Sequence, residues 1–326
     1  MKKKNIIVFI IGIVVILAIS AVAFAMKNNS KEEKNKNTSS ELQQESESYI
    51  SYNGQKYQHN DHLRTYLYMG IDKDGPATEA EDSVSGGQSD AMFLIVVDSE
   101  KKTISVLSIN RNTMTDVDVY DKDGNFVDTR ELQICLQHGF GDGMRTSCQR
   151  SVDAVSNLLY GEPISGYIAM NMDAMPMMND SVGGVTVEVL DDLTSPSRNV
   201  SLHKGETVTL NGDEAYVYLR SRDINEFDSA TERLNRQMQY IQALVKQAKS
   251  KDTATLVSAY DAITDYIVTN VDVPNLVNKL TTYEFDDSRM YTIPGETQMG
   301  EQYEEYHVDE DALYQLVLDV FYKPVE

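Results

Sequence analysis

The chain has 326 residues, of which 51 are acidic and 29 are basic, so its formal net charge at pH 7 is −22. This acidic balance argues against nucleic acid as a partner, because phosphate backbones need a basic binding surface. The length allows one large domain or two ordinary ones, and it is sufficient for a sizeable apolar core.

The first feature in chain order is an uncharged apolar run of 20 residues at positions 6–25, which three lysines precede. Such a run is long enough to cross a bilayer once as a helix. A cleaved signal peptide is the alternative, because Ala23 and Ala25 resemble a small-residue cleavage site. Signal peptides usually have an apolar region of only about 7–15 residues, which favours an uncleaved anchor. We therefore expect a single-pass protein of the cell membrane, with residues 1–5 in the cytoplasm and the main domain outside it.

Residues 26–60 are predicted to be a disordered linker between the anchor and the domain. Lys, Glu, Asn, Ser and Gln dominate residues 27–48, and such a polar segment cannot bury enough apolar surface to fold. The extracytoplasmic domain is expected at residues 63–323.

Beyond the linker, strand patterns alternate with helix patterns. Residues 91–97 form a continuous apolar run, which is typical of a strand buried on both faces. A polar turn leads into an alternating pattern at residues 103–109, so these two segments should pair as a hairpin. Further strands are predicted at 65–69, 185–189 and 290–293, and helices at 148–159, 211–219 and 309–321. The mixture predicts an α/β fold whose sheet is covered by helices on both faces.

Residues 216–237 are rich in arginine. Ser229 and Glu232 form a capping pair that predicts the start of a helix. In that helix Arg233 and Gln237 are one turn apart beside the apolar stripe, so they should border whatever the helix packs on. Arginine binds phosphate oxygens bidentately, and a helix N-terminus also favours anions. The alternative is an arginine-rich helix neutralised by nearby acids. The four arginines are Arg220, Arg222, Arg233 and Arg236.

Two aspartates stand at predicted strand ends, where ligands often bind to an open sheet. Asp72 closes the first strand and Asp90 precedes the second, while Arg111 follows the third. Two carboxylates suit Mg²⁺, which takes oxygen ligands and usually bridges to substrate phosphates. The alternative is that both aspartates are ordinary turn residues. If the segments converge, acids and arginines together are typical of phosphoryl transfer. As a carboxylate facing a cleft, Asp90 should tolerate replacement by Ala without loss of the fold.

Cys135 and Cys148 are the only cysteines of the chain. In an exported domain they could form a disulfide, and the alternative is two reduced thiols. The five histidines have no metal-ligand spacing, so a zinc site is not expected.

Several of these short motifs together resemble one protein family, the LytR–CpsA–Psr proteins of Gram-positive cell envelopes. The resemblance covers roughly residues 63–322, and an N-terminal membrane anchor is the family's usual layout. It implies a single extracytoplasmic α/β/α sandwich with a mixed central sheet. The matching stretches are residues 67–72, 89–97, 106–113, 182–189, 210–222, 233–237, 293–295 and the helix after Tyr306.

The resemblance implies phosphotransfer. Such proteins are thought to move a glycan phosphate from a polyprenyl-pyrophosphate carrier onto peptidoglycan with Mg²⁺, as in the attachment of teichoic acid or capsule, and to release polyprenyl phosphate. One alternative is a sensor or scaffold that binds the polyprenyl pyrophosphate without turnover. Another is an envelope-linked transcriptional attenuator, which the absence of a basic helix-turn-helix pattern disfavours.

Roles follow by motif position. Asp72 and Asp90 correspond to metal-binding acids, and Gln88 and Arg236 are candidate substrate contacts. Gln88 also departs from the family pattern, since an arginine is often found there, and Asn112 stands where an aspartate commonly follows. These departures imply a slower enzyme, a different polymer, or a site that only binds. The pyrophosphate and catalytic contacts would be Arg111, Arg220, Arg222, Asp228, Arg233 and Gln237.

Overall fold

The computed structural model describes residues 49–223, 225–248, 250–271, 283–285 and 287–325. The predicted membrane anchor at residues 6–25 lies outside these residues. Within the described ranges, no helix is long and apolar enough to cross a membrane.

Ordered structure begins inside the segment that was predicted to be a linker. Strands β1 (Ile50–Tyr52) and β2 (Gln55–His59) form a hairpin there, so the predicted boundary at residue 60 is wrong. The reason is a distant pairing: β2 also pairs with the last described strand, Tyr322–Val325. A local pattern does not reveal a strand whose partner lies at the other end of the chain.

A mixed six-stranded sheet forms the centre of the domain. Its spatial order is β13-β8-β3-β4-β5-β14, with antiparallel pairs at β3–β4, β4–β5 and β13–β8, and parallel pairs at β3–β8 and β5–β14. The strands are β3 (Leu63–Ile71), β4 (Ser89–Asp98), β5 (Thr103–Ile109), β8 (Gly166–Asn171), β13 (Ile267–Thr269) and β14 (Met290–Thr292). The predicted hairpin of β4 and β5 and the predicted α/β fold with a mixed sheet are confirmed.

The remaining strands form small two-stranded sheets and the terminal sheet. They are β6 (Met114–Tyr120), β7 (Phe126–Gln133), β9 (Val185–Glu188), β10 (Leu193–Ser195), β11 (Val200–Leu202), β12 (Thr207–Leu210), β15 (Gly295–Met299), β16 (Glu304–Val308) and β17 (Tyr322–Val325). The helices are α1 (Arg145–Leu158), α2 (Ala174–Ser181), α3 (Gly212–Arg220), α4 (Ser229–Ala248), α5 (Thr253–Ile263) and α6 (Glu310–Phe321).

Side chains alternate between the two faces of the central sheet, as the period of a strand requires. Tyr68 and Phe93 belong to a core on one face, to which α2, α3, α4 and α5 contribute. Leu67 and Met92 belong to a second core on the other face, to which α1 and α6 contribute. The sheet is thus covered by helices on both faces, which explains why β4 reads as a continuous apolar run.

Four strand ends lie together at one edge of this sheet. Because β3 and β4 are antiparallel, the end of β3 lies beside the start of β4, with Ile71 opposite Ser89. The end of β5 lies next, with Ile109 opposite Met92. The end of β8 adjoins β3, where Asn171 pairs with Ile71. The segments that carry Asp72, Asp90 and Arg111 therefore meet at this edge.

Candidate active site

Asp90 is held between two arginines from distant parts of the chain. Nε of Arg111 lies 2.8 Å from Asp90 Oδ1, an ion pair that is not aligned as a hydrogen bond. Arg233 donates from Nη1 to Asp90 Oδ2 at 3.1 Å and from Nη2 to the Asp90 carbonyl oxygen at 3.1 Å. The Arg233 side chain is 4% exposed and that of Arg111 is 9% exposed. Asp90 is thus the counter-ion of two buried guanidinium groups, and these contacts argue against the expectation that its loss would spare the fold.

Asp72 lies beside this cluster without an arginine contact of its own. Its Oδ1 accepts a hydrogen bond from the backbone N–H of Gln88 at 2.6 Å. Burial raises the pKa of the Asp72 carboxyl, and the neighbouring charge of Asp90 raises it further. A cation placed between the two carboxylates would relieve this penalty on the ionised form.

Arg111 also contacts both positions that depart from the family pattern. Its Nη2 donates to Gln88 Oε1, and its Nη1 donates to Asn112 Oδ1 at 3.4 Å. Asn112 is buried. The two neutral amides therefore flank one guanidinium, where an arginine and an aspartate would have placed opposite charges.

The end of helix α3 brings two more arginines to the same edge. Asn211 caps this helix with Glu214 in a capping box, and the helix ends at Arg220. Arg220 donates to the Tyr216 hydroxyl and lies 3.6 Å from Asp74. Arg222, in the extended segment that follows, makes no ion pair with the described residues.

Arg222 lies close to the buried cluster. Burial lowers the pKa of the Arg233 guanidinium to about 10; Asp90 opposes this shift, whereas the charges of Arg111 and Arg222 add to it. Three arginines thus repel one another around a single aspartate. An incoming phosphate would offset that repulsion.

Helix α4 begins at Ser229 as predicted, but the Ser229 hydroxyl has no hydrogen-bond partner among the described residues, so the predicted capping pair is not formed. Arg233 and Gln237 are both buried, which confirms that they border the packed face. Gln237 donates to the Leu219 carbonyl oxygen at 3.2 Å and so joins α4 to α3.

Two predicted site residues have other surroundings. Arg236 donates to the carbonyl oxygens of Tyr218 and Ser221 and forms a 2.6 Å ion pair with Asp191, so all its contacts tie α4 to α3 and to the segment after β9. We assign Arg236 a structural role instead of the predicted substrate contact. Asp228 has a left-handed φ of 62°. Its Oδ1 accepts a hydrogen bond from the Thr297 hydroxyl, and its backbone N–H donates to Glu304 Oε1. Its carbonyl oxygen also accepts from the backbone N–H groups of Thr231 and Glu232, so its described contacts are with the β15–β16 hairpin and the start of α4 and not with the arginines.

Both cysteines are buried free thiols, so the structure contains the reduced alternative and not the predicted disulfide. Cys148 Sγ lies 3.8 Å from His138 Nε2, and Cys135 Sγ lies 3.9 Å from Gln88 Oε1. Burial raises the pKa of the Cys135 thiol to about 11. A thiol in such surroundings is not reactive.

An apolar cavity of about 40 Å³ adjoins the charged cluster on the face covered by α2 and α4. Gly70, two residues before Asp72, and Ala91, next to Asp90, line it together with Gln237. The lining also includes four methionines and three aromatic residues: Met170, Met172, Met175, Met178, Tyr68, Phe93 and Tyr240.

Sequence reasoning did not identify this lining, although residues 170–178 carry an unusual run of methionines that could have indicated it. Methionine side chains are flexible and fill adaptable apolar sites. Tyr216 was also missed. Its spacing of four residues before Arg220 on a helix was the available signal.

Asp72 and Asp90 are the residues that could hold a metal ion. No group of three or more His, Cys, Asp or Glu side chains is arranged for a metal within the described ranges. Mg²⁺ does not require one, because it is usually bound by one or two carboxylates together with substrate phosphates and water. The donor set therefore fits Mg²⁺ bound jointly with a phosphorylated substrate.

Comparison with known proteins finds relatives that include teichoic acid transferases. The TagU polyisoprenyl-teichoic acid–peptidoglycan teichoic acid transferase of Halalkalibacterium halodurans is 27% identical over 208 residues, which cover 63% of this chain and 62% of that protein. The corresponding TagU of Enterococcus faecalis is 24% identical over 300 residues, which cover 92% of this chain and 86% of that protein. The match to the first relative thus spans less than two thirds of its length.

Solved structures share the fold. B. subtilis TagV has a TM-score of 0.58 at 24% identity, covering 79% of this chain and 94% of that one. TagT bound to LI-WTA has a TM-score of 0.58 at 21% identity, covering 80% and 90%. A profile of the LytR_cpsA_psr family matches residues 15–319. The chain therefore belongs to the LytR_cpsA_psr family.

Proposed function

We propose that this protein is a phosphotransferase that moves a glycan phosphate from a polyprenyl-pyrophosphate carrier onto peptidoglycan and releases polyprenyl phosphate. The observation that carries this proposal is the contact between two unlike surfaces: a cluster of arginines and aspartates at the sheet edge, and an apolar cavity that opens directly beside it. A pyrophosphate lipid has the same two parts in the same order.

The arginines are suited to the pyrophosphate. Arg222 makes no ion pair with the described residues, and Arg111 and Arg233 share one aspartate, so the cluster retains positive charge for anionic oxygens. Their guanidinium groups present planar forks that match phosphate oxygens. Arg220, which is 39% exposed, can reach the ligand from the rim.

The cavity is suited to the first isoprene units of the lipid. At about 40 Å³ it holds only a few water molecules' worth of space, so the methionine side chains must rotate to admit a chain. Its apolar lining removes the surface of a polyprenyl group from water, which is favourable.

The reaction is a displacement at phosphorus. The oxygen of an acceptor hydroxyl forms a bond to the phosphorus that carries the glycan, and the bond from that phosphorus to the bridging oxygen breaks. Polyprenyl phosphate leaves, and the hydroxyl proton passes to the departing phosphate. Arg111, Arg222 and Arg233 stabilise the charge on the transferring group. Asp72 and Asp90 would hold Mg²⁺, which neutralises pyrophosphate charge when bound.

The test uses the full chain in detergent, a polyprenyl-pyrophosphate disaccharide labelled in its sugar, and purified peptidoglycan. We expect label in the insoluble wall and one polyprenyl phosphate released per disaccharide transferred, with both dependent on Mg²⁺. Arg220→Lys keeps the charge but loses the fork, and should slow transfer by about 10²–10³-fold. Arg130→Lys, a change at an exposed arginine on the β6–β7 hairpin, is the matched control.

A non-catalytic sensor of the same lipid is the second candidate. It is favoured by the two neutral amides, Gln88 and Asn112, that flank Arg111. Wild-type protein that binds the lipid but transfers no label to any wall preparation would identify the sensor and overturn the transferase.

A further inference from the structure

A second concave surface lies beside Asp72, distinct from the apolar cavity. This groove has a volume of about 380 Å³, and its walls include Val84, Leu136 and Phe140. Asp72 and Gln88 form its inner end, at the charged cluster. Val84 is 46% exposed.

The groove and the cavity approach the charged cluster from opposite faces of the sheet. The cavity is lined by Tyr68 and Phe93, which belong to the core on the α2–α5 face. Leu136 belongs to the short 3₁₀ helix Ile134–Gly139, whose first residue packs in the core on the α1 face. A ligand group in the cavity and another in the groove would therefore meet at Asp72 and Asp90 from two sides.

The inner end of the groove is held in a fixed shape. Gly87 has a left-handed φ of 83°, and a Cβ there would lie 2.9 Å from Lys73 Cγ and 3.1 Å from Asp72 Oδ1. The Gly87 carbonyl oxygen lies 3.0 Å from Nδ1 of the buried His138. Burial lowers the pKa of His138 to about 4, so the neutral ring donates from Nδ1 to this carbonyl. The loop that carries Gln88 is thus fixed before any ligand binds.

We propose that this groove binds the acceptor, a saccharide unit of the peptidoglycan strand, and this rests on the transferase function proposed above. In a displacement at phosphorus the attacking and leaving oxygens lie roughly in line on opposite sides. If polyprenyl phosphate departs toward the cavity, the acceptor hydroxyl must approach from the other face, where the groove opens.

The lining has the character of a saccharide site. Apolar surfaces of Val84, Leu136 and Phe140 can cover the C–H face of a sugar ring, while the polar groups of Asp72 and Gln88 stand where its hydroxyls would lie. Lys73 also lines the groove, so its wall carries a cation as well as the Asp72 carboxylate. Apolar walls with a few polar groups orient a ligand, so the groove can present a saccharide hydroxyl to the cluster.

The test compares Val84→Asp with Val127→Asp, since Val127 is 53% exposed on strand β7 outside the groove. The acceptor is a soluble peptidoglycan tetrasaccharide, and KM is measured separately for acceptor and lipid-linked donor. We expect Val84→Asp to raise the acceptor KM by at least about tenfold, equivalent to 1.4 kcal/mol, with the donor KM unchanged. Val127→Asp should change neither.

Binding of the tetrasaccharide alone, measured by saturation-transfer NMR, separates this proposal from the proposed function. Wild-type binding that Val84→Asp abolishes supports the groove even if no transfer occurs, in which case the transferase function fails. An acceptor KM that Val84→Asp leaves unchanged, or tetrasaccharide binding that Val84→Asp does not weaken, overturns the groove while the transferase function stands. No binding and no transfer by the wild-type protein overturns both.

Discussion

Replacing Asp90 with Ala should destabilise the protein as well as inactivate it. The substitution removes the carboxylate that faces both Arg111 and Arg233. The two guanidinium groups would then stay buried without the carboxylate that pairs with both, and Arg233 would keep its hydrogen bond to the Asp90 carbonyl oxygen beside the apolar packing of α4 on the sheet.

The size of the effect follows from burial. The side chains of Arg233 and Arg111 are 4% and 9% exposed, so solvent screens their charges poorly. Removing one partner of a buried ion pair costs about 3–5 kcal/mol. A domain is usually stable by only about 5–15 kcal/mol. We therefore expect the free energy of unfolding to fall by about 3–5 kcal/mol, a large part of the total.

Urea denaturation of the full chain in non-ionic detergent, followed by far-ultraviolet circular dichroism, measures this quantity, because the chain has no tryptophan to report by fluorescence. Asp213→Ala is the matched control. Asp213 pairs with Arg198 on the surface, where the side chains are 55% and 30% exposed. Exposed pairs contribute about 0–1 kcal/mol. If Asp90→Ala lowers stability no more than Asp213→Ala does, Asp90 is not the counter-ion of a buried cluster.

Three further predictions follow from the same contacts. Ala91→Phe places a ring against the lining of the cavity, so the donor KM should rise more for a donor with isoprene units than for an analogue that carries a methyl group in their place. The effects of Gln88→Arg and Asn112→Asp on the transfer rate should not be independent, because both residues contact the Arg111 guanidinium. Only the double variant preserves the local net charge, so it should transfer faster than either single variant. Burial lowers the pKa of His138 to about 4 in the folded protein, from the ordinary value of 6.5 that applies to the unfolded chain. As the pH falls, the unfolded chain therefore takes up this proton at a higher pH than the folded protein does. The free energy of unfolding should therefore fall by about 3 kcal/mol between pH 6.5 and 4. His138→Gln should remove this contribution to the pH dependence.

Each of these has a contradicting result. An equal rise in KM for donors with and without isoprene units would mean that Ala91 does not border the lipid. If the effect of the double variant on the transfer rate is simply the product of the two single-variant effects, Gln88 and Asn112 act independently of each other. A pH dependence of unfolding that is the same in His138→Gln and wild type would mean that His138 is not held neutral by burial.

The central strands and the site edge could be predicted because their signals are local. The apolar run of β4 and the alternation of β5 identify buried strands, and aspartates after such strands fall at a sheet edge. The family motifs then added roles for residues spread over most of the chain. These parts of the fold required no knowledge of distant contacts.

Distant contacts account for what was not predicted. The partners of Asp90 are Arg111 and Arg233, and the second lies 143 residues away. No local pattern indicates that two buried guanidinium groups share one carboxylate, so its structural role was underestimated. Arg236 lies three residues after Arg233 in the same helix, yet it pairs with Asp191 and not with Asp90. The sequence alone does not show which of two arginines so close on one helix face contacts the site.

The most direct test of the central claim is a crystal structure with a bound polyprenyl pyrophosphate. The account predicts pyrophosphate oxygens within hydrogen-bond distance of Arg111 and Arg222, with the first isoprene units in the cavity beyond Ala91 and the groove at Val84 left open. A lipid bound elsewhere, or a chain lying in the groove while the cavity stays closed, would contradict it.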